Sequence, residues 1–145
     1  MFKHLLLPTD GSEASQATLL RGIQLAKDCK ARITGISVVP QFHMLTFNAM
    51  MIDDTKETFI AESRAHANKY LTALKKVADE EGVPCDTEIA LSDHPYEAII
   101  STATSKGCDL IMMASHGRRG LQGLLIGSET QKVLTHCKIP VLVYR

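Results

Sequence analysis

The stretch from Ala114 to Ser128 is the part of this chain best suited to hold a ligand. It combines four glycines with two arginines in a loop of mostly small residues, and we refer to it as the glycine loop. It follows an apolar run, 110–113, and precedes a helical pattern, 129–136. Glycines let the main chain approach a ligand closely, and amides at a helix start favour anions, phosphate above all. The pattern therefore predicts a phosphate-binding loop between a buried strand and a helix.

A second polar segment, Pro8 to Ser12, follows the first predicted strand and supplies the carboxylate of Asp10 and the hydroxyl of Thr9. If the first and fourth strands are neighbours, this segment and the glycine loop line one crevice, where open α/β sheets bind ligands. Such a crevice offers an acceptor for the base end of a nucleotide and amides for its phosphates. Its other polar candidates are Ser12, Ser115, Ser128, Arg118 and Arg119.

The elements that must position these loops alternate between strands and helices. Strands are expected at Lys3–Leu7, Arg32–Val39, Asp86–Leu91, Asp109–Met113 and Pro140–Tyr144, and helices at Glu13–Cys29, at Asp54–Glu81, from Pro95 onward and from Ser128 to His136. This order predicts a Rossmann-like α/β fold, with an open, mostly parallel five-stranded sheet and helices on both faces. Without an internal repeat or a linker, residues 1–145 are expected to form a single domain.

Turn and cap residues mark the expected helix ends. The turn 10–12 is expected to cap the first helix, and Ser92 or Asp93 the third. The segment 128–131 matches an S-x-x-Q capping box that opens the fourth helix. Gly82 is expected to end the second helix.

Residues 41–53 are harder to interpret, since their apolar side chains fit neither the helical nor the strand period. We expect a long connection over the sheet edge or a pocket. Because methionine fills irregular gaps, core filler is the favoured interpretation. The alternative is a mobile lid over the ligand.

Composition narrows the function classes. A net charge of zero gives no reason to expect nucleic acid as a partner. No apolar run approaches the ~18 residues of a membrane span, and no secretory signal is visible, so a cytoplasmic protein is expected. The histidines show no metal spacing, so no metal site is expected. Reduced, mostly buried thiols are expected at Cys29, Cys85, Cys108 and Cys137.

Three separated motifs resemble the universal stress protein family over essentially the full chain. Residues 5–12 match its opening I-L-x-P-x-D-G-S type segment, and the end of the chain matches its closing P-V-L-V type strand. Gly117, Gly127 and Ser128 match the spaced G-x2-G-x9-G-[ST] pattern of its ATP-binding branch. Ala114 replaces the first glycine of that pattern, and we expect weakened or unchanged binding rather than loss.

The resemblance implies an ATP-binding protein, with or without Mg²⁺, that works in stress response or regulation. Asp10 would hold the adenine or ribose end, with Pro8 and Thr9 shaping that wall and the backbone near Val38 reading the adenine edge. The remaining implied contacts, to the ribose and phosphates, are Met113, Ala114, Gly117, Arg118, Gly127, Ser128, Glu129 and Thr130.

The resemblance also implies a homodimer that pairs through the last strand. An apolar strand at a sheet edge invites pairing with a twofold mate. The implied interface residues are Val141, Leu142, Val143 and Tyr144.

Two other function classes stay open. One is a dimeric interaction module of the same fold that binds no nucleotide. The other is a very slow ATPase, since the chain lacks the G-x4-G-K-[ST] motif of efficient P-loop enzymes. A flavodoxin-like electron carrier is disfavoured, because a chain with no tryptophan and 5% aromatic residues has little to sandwich a flavin.

Overall fold

A computed structural model of the protein describes residues 1–41, 49–118 and 126–145, and their side chains except at 49–54. Strands and helices alternate through it. In chain order they are β1 (His4–Pro8), α1 (Glu13–Cys29), β2 (Arg32–Val39), α2 (Ala49–Glu80), β3 (Cys85–Leu91), α3 (Pro95–Lys106), β4 (Leu110–Ala114), α4 (Ser128–His136) and β5 (Val141–Tyr144).

The strands form one parallel sheet in the order β3-β2-β1-β4-β5. Leu6 in the central strand β1 lies opposite Thr34 of β2 on one side and Ile111 of β4 on the other. The predicted fold class is therefore confirmed, and β1 and β4 are neighbours, which is the condition for a shared crevice. The order of connection reverses between β1 and β4, which is the switch point where such sheets bind ligands.

The two faces of the sheet bury separate apolar clusters. Leu5 and Leu7 of β1 point to the face covered by α1 and α2, where Ile23 and Leu74 pack against them. Leu6 points the opposite way, into the cluster built from α3 and α4. This alternation is the period-two signature of a strand covered on both sides, and it holds β1 rigidly at the centre.

The start of α2 differs from the prediction. The helix begins at Ala49 rather than at Asp54, so the expected irregular connection 41–53 was wrong from residue 49 onward. Methionine is a good helix former, and propensity extends a helix even where no apolar stripe marks it. Residues 42–48 lie outside the described part of the chain, and the choice between core filler and lid stays a prediction.

The N-terminal caps follow the prediction at one helix and depart from it at two. Ser12 caps α1, and its hydroxyl accepts a hydrogen bond of 3.2 Å from the Ser15 amide. The N-cap of α3 is His94 rather than Ser92 or Asp93. The hydroxyl of Ser92 instead accepts from the His94 amide, so its hydrogen bond lies within the turn before α3 and caps no amide of the helix.

The predicted capping box of α4 is also wrong. Gly127 is the N-cap, and Ser128 is already the first helical residue. The Gln131 side chain donates to the carbonyl of Ile126 instead of closing a box with Ser128. An extended backbone at Gly127 (φ −71°, ψ 161°) gives the cap its geometry without any side chain.

Three helices end in a left-handed residue. Gly82 follows α2 with φ 72° and Gly107 caps α3 with φ 68°, which confirms the predicted stop at Gly82. At the end of α1 the same position is taken by Lys30, with φ 55°. A side chain in this conformation is strained where glycine is not.

A buried polar chain crosses the amino end of the sheet. The Nε2 atom of His4 lies 2.7 Å from the Thr34 hydroxyl, which in turn donates to Asp86 over 2.6 Å. Because the Thr34 hydroxyl donates its hydrogen to Asp86, its oxygen accepts from His4, and the Nε2 atom of His4 must carry a hydrogen. The Nδ1 atom of His4 has no hydrogen-bond partner among the described residues. Burial is the largest cause that lowers the pKa of His4, so its ring is held neutral.

The cysteines are less buried than predicted. All four thiols are free, but Cys108 alone is buried, and the other three are half-buried. Burial raises the pKa of the Cys85 and Cys108 thiols to about 11 each. These two are poor nucleophiles. Within the described ranges, no helix is both long enough and apolar enough to cross a bilayer.

Candidate functional site

The candidate site lies where β1 and β4 end side by side. Asp10, just after β1, joins the two loops that leave these strands. Its Oδ1 accepts from the Ser12 amide and its Oδ2 from the Arg118 amide, each over 3.0 Å. The carboxylate of one loop therefore fixes the main chain of the other, as the expected shared crevice requires.

Gly117 is required here for close approach rather than for backbone freedom. A Cβ atom on it would lie 2.4 Å from the Oδ2 atom of Asp10. Gly127 is less crowded, since its Cβ would lie 3.2 Å from the Cα atom of His116, a tight contact with backbone. Neither glycine has a positive φ. A side chain at Gly117 must displace the Asp10 carboxylate, and one at Gly127 must shift the start of α4 away from His116.

Ala114 fits its place without strain. It is the last residue of β4 and lies opposite Tyr144 of β5. In the described part of the chain, Lys30 is the one non-glycine residue with a positive φ, so Ala114 has ordinary strand geometry. A methyl group therefore costs little at this departure from the family pattern.

The wall beside Asp10 is built from buried hydroxyls. Thr9 is 5% exposed, and its amide donates to the Ile36 carbonyl over 2.8 Å. Its hydroxyl accepts from Ser15 over 2.7 Å and from the Gly11 amide over 3.2 Å. Thr9 therefore shapes the turn, and Ser15 is a supporting residue that the sequence analysis did not identify.

The start of α4 is fastened to the end of β4. The Gly127 amide donates to the Ser115 carbonyl over 2.5 Å, and the Thr130 hydroxyl donates to the Ala114 carbonyl over 3.0 Å. The first-turn amides of a helix have no intrahelical acceptor. Those of Ser128, Glu129 and Thr130 therefore make this end of the crevice attractive to anions.

The carboxylate of Glu129 links α4 to α3. It accepts from the Tyr96 amide at the start of α3 over 3.0 Å, and it pairs with Lys132 over 3.0 Å. The bond to Tyr96 holds α3 against α4. Only the main chain of Glu129 is left to contact a ligand.

Tyr70 is the contact that sequence reasoning missed. Its hydroxyl accepts a hydrogen bond from Arg118, and the guanidinium carbon lies 5.3 Å from its ring centroid. Gly11, with φ 77°, lies under the same ring, and a Cβ there would fall 2.2 Å from the Tyr70 Cζ atom. No local spacing signals this contact, because Tyr70 lies in the middle of α2.

The other predicted site residues surround this cluster. Pro8 is the last residue of β1, and Met113, 7% exposed, precedes Ala114 in β4. Val38 is half-buried near the end of β2, opposite Ala90 of β3. Arg119 lies outside the described residues. Across the described ranges, no three His, Cys, Asp or Glu side chains lie together as they would to hold a metal ion.

The chain is similar to known proteins over its whole length. The model of the universal stress protein family matches residues 1–145. Universal stress protein YxiE of Bacillus subtilis is 32% identical over 149 residues, covering 100% of both chains. Universal stress protein MJ0531 of Methanocaldococcus jannaschii is 31% identical over 145 residues, covering 100% of this chain and 83% of that relative.

Solved structures share the fold. That of MJ0577, a universal stress protein of Methanocaldococcus jannaschii, has a TM-score of 0.81 at 26% identity, covering 99% of this chain and 95% of that one. A universal stress protein in complex with cAMP has a TM-score of 0.71 at 19% identity, covering 99% and 97%. A family protein of Arabidopsis thaliana with AMP bound has a TM-score of 0.68 at 14% identity, covering 97% and 90%.

Proposed function

Because this chain belongs to the universal stress protein family, we propose that it binds ATP in the crevice between the β1–α1 loop and the glycine loop. Its role would be in stress response or regulation. The observation that carries the proposal is the position of Asp10, which accepts one amide hydrogen bond from each loop over 3.0 Å. Both loops thereby present one continuous polar wall at the switch point of the sheet.

The adenosine half belongs at the ends of β1 and β2. A carboxylate oxygen accepts more than one hydrogen bond, so Asp10 has capacity for ribose hydroxyls while it holds the loops. Pro8 and Thr9 form the wall beside it. Since β1 ends at Pro8, opposite Ile36, the backbone of Val38 lies past the last β1 partner and suits the adenine edge.

The phosphates belong between the end of β4 and the start of α4. Met113, Ala114 and Gly117 would line the path of the ribose and first phosphate, and Arg118 would supply positive charge. The amides of residues 128–130 would bind phosphate oxygens at the helix start. Gly127 would permit the approach because it has no side chain, while its own amide is already bonded to the Ser115 carbonyl.

Adenine nucleotides in two fold relatives support the choice of ligand. One holds cAMP and the other AMP. The choice of ATP rests on the part of the family's glycine pattern that this chain retains, Gly117, Gly127 and Ser128. Since the described residues include no metal-binding cluster, we propose that any Mg²⁺ is held mainly by the phosphates.

We also propose a homodimer that pairs through β5 (Val141, Leu142, Val143 and Tyr144). In the described sheet β5 lies at the edge, with β4 as its neighbour. Leu142 is 42% exposed in the monomer, which is a high value for a leucine on a strand. Strand pairing with a second copy would cover it.

Nucleotide binding is tested first on the freshly purified protein. Mass spectrometry and liquid chromatography of the small molecules released on denaturation should find ATP or ADP near one per chain. Titration calorimetry with Mg²⁺-ATP should otherwise give micromolar binding. If neither is seen, the protein is assigned to the interaction modules that bind no nucleotide.

Two glycine variants test whether the crevice is the site. Gly117→Ala should weaken ATP at least about tenfold, equivalent to about 1.4 kcal/mol, because its Cβ displaces Asp10. Gly127→Val should do the same by separating α4 from His116. Ala114→Gly, which restores the glycine of the family pattern, should instead leave ATP affinity unchanged or increase it. Unchanged ATP affinity in both glycine variants, measured by calorimetry, would reduce the glycine loop to a structural role.

A further inference from the structure

We infer that Tyr70 is a positioning residue of the proposed nucleotide site, holding the Arg118 guanidinium in place for the outer phosphates of ATP. The inference rests on the proposed function and extends it to α2, an element outside all the ligand motifs. It implies a preference for nucleotides with more than one phosphate. Three observations carry it, concerning the ring of Tyr70, the side chain of Arg118 and the charge of the site.

The ring of Tyr70 is fixed by the turn beneath it. Gly11 approaches so closely that a Cβ atom there would lie 2.2 to 2.6 Å from three ring carbons. The φ of 77° at Gly11 is also one that side-chain-bearing residues rarely adopt. The β1–α1 loop therefore forms a floor for the aromatic ring, and the phenol points from a rigid helix toward the glycine loop.

The side chain of Arg118 is fixed by that phenol. The residue is exposed, and a free arginine there would lose much rotamer entropy on binding phosphate. Its Nη2 atom donates to the Tyr70 hydroxyl, and its guanidinium carbon lies 5.3 Å from the ring centroid. Its amide is tied to Asp10. Both ends of Arg118 are therefore held before a ligand arrives.

The charge of the site makes this contact consequential. In residues 8–12, 114–118 and 126–130, the described parts of the two loops, Arg118 carries the one permanent positive charge. A guanidinium has five N–H donors, so one bond to Tyr70 leaves donors for phosphate oxygens. The amides at the start of α4 would bind the single phosphate of AMP without a contribution from Arg118. Losing the Tyr70 contact should therefore affect ATP more than AMP.

The test compares Tyr70→Phe with the wild type for AMP and ATP by titration calorimetry. The substitution keeps the ring over Gly11 and removes only the hydroxyl. We expect ATP to weaken about three- to tenfold, the range of one hydrogen bond, and AMP to change less than about twofold. Arg118→Gln should weaken ATP at least as much, and adding Tyr70→Phe to it should have no further effect. Tyr96→Phe, which removes a phenol that donates to Glu97 on α3, is the matched control.

Each contrary result is distinct. Equal weakening of AMP and ATP by Tyr70→Phe would show that Tyr70 only supports the fold of the site. If Tyr70→Phe has its full effect in the Arg118→Gln background, Tyr70 does not act through Arg118. Tighter ATP binding by Tyr70→Phe would show that the contact between Tyr70 and Arg118 competes with phosphate. Each of these overturns the inference and leaves the proposed function standing. A wild type that binds neither nucleotide overturns both.

Discussion

At the residue scale, the glycines around the site are present for two different physical reasons. Gly11 needs its left-handed backbone, with φ 77°, as well as the space under Tyr70. Gly117 and Gly127 have ordinary backbones and need only the space. Ala114 replaces a family glycine at a position that requires neither. A motif letter alone does not separate these cases, whereas backbone angles and contacts do.

Stability below neutral pH should depend on His4. Burial is the largest cause that lowers its pKa from 6.5, and the charge of Arg32 adds to it, while Asp86, Asp109 and the Lys106 backbone oppose it. Between the lowered folded pKa and 6.5, the unfolded chain binds the proton more readily. The contribution of His4 is therefore complete above pH 6.5 and is lost as the pH falls below it. The expected slope is at most about 1.4 kcal/mol per pH unit.

Urea unfolding between about pH 7.5 and about pH 5 measures this effect. His4→Phe, which fills the same space without titrating, should remove most of the slope below pH 6.5. The Thr34 hydroxyl still donates to Asp86 in that variant, so no new buried donor is left unpaired. An identical slope in both proteins would place the acid sensitivity elsewhere.

Sequence reasoning at this scale found residues whose partners lie close along the chain. Ser12 was identified as a cap because the amide that it accepts from, that of Ser15, is only three residues away. Tyr70 was missed because its partners, Gly11 and Arg118, are brought to it by the sheet. At Ser128 the local motif was present, but the turn before it let Gly127 take the cap.

At the element scale, the end of α1 stores strain that the ends of α2 and α3 avoid. Lys30→Gly should stabilise the protein by about 0.5–1 kcal/mol. The substitution removes the strain of a side chain in the left-handed conformation, and this gain exceeds the added conformational entropy of glycine in the unfolded chain.

Gly107→Ala should destabilise the protein by about 1 kcal/mol, because it places a side chain in the left-handed conformation. The added methyl meets nothing within 4 Å, so the loss would come from the backbone angle alone. Thermal and urea unfolding check both, and a less stable Lys30→Gly would refute the strain.

The regular elements were predictable where apolar periodicity is strong. In α1 the bounds match fully, and Leu19, Ile23 and Ala26, which the helical period of the sequence places on one apolar face, are buried. The first turns of α2 escaped prediction because their apolar residues form no stripe. In α3 the helical period of the sequence predicts an apolar stripe of Tyr96, Ile100 and Ala103, but the buried isoleucine is Ile99 rather than Ile100. Helix propensity is a property of each residue and leaves no periodic pattern, so hydrophobic periodicity does not reveal it.

At the scale of the whole molecule, the proposed homodimer should depend on Leu142. Leu142→Lys places a charge on the exposed edge strand and should weaken the dimer at least about tenfold. Leu134→Lys on α4 is the control, because Leu134 is also 42% exposed but lies on a helix. Sedimentation velocity over a range of concentrations distinguishes the two. A dimer that survives Leu142→Lys and fails in Leu134→Lys would move the interface to α4.

The sheet order was the part of the architecture that the sequence constrained least. Alternation of strands and helices predicted a parallel sheet, but which strands touch was open, and the crevice depended on β1 meeting β4. Hydrogen bonds at the starts of the two strands, away from the ligand loops, also join β1 to β4, because Asp109 accepts from the amides of Lys3 and His4. Such long-range bonds leave no periodic trace in either segment.

The strand order has a consequence for synthesis on the ribosome. The central strand β1 emerges early and pairs with β2 soon after, and β3 later joins the far side of β2. The other edge of β1 waits for β4, more than a hundred residues after β1. Until then the middle of the future sheet is an open edge, the kind of surface that chaperones shield. The crevice lies on that seam, so it exists only after both halves meet. A ligand bound in the crevice stabilises the sheet once its two halves have joined, but it does not stabilise a nascent chain that lacks β4.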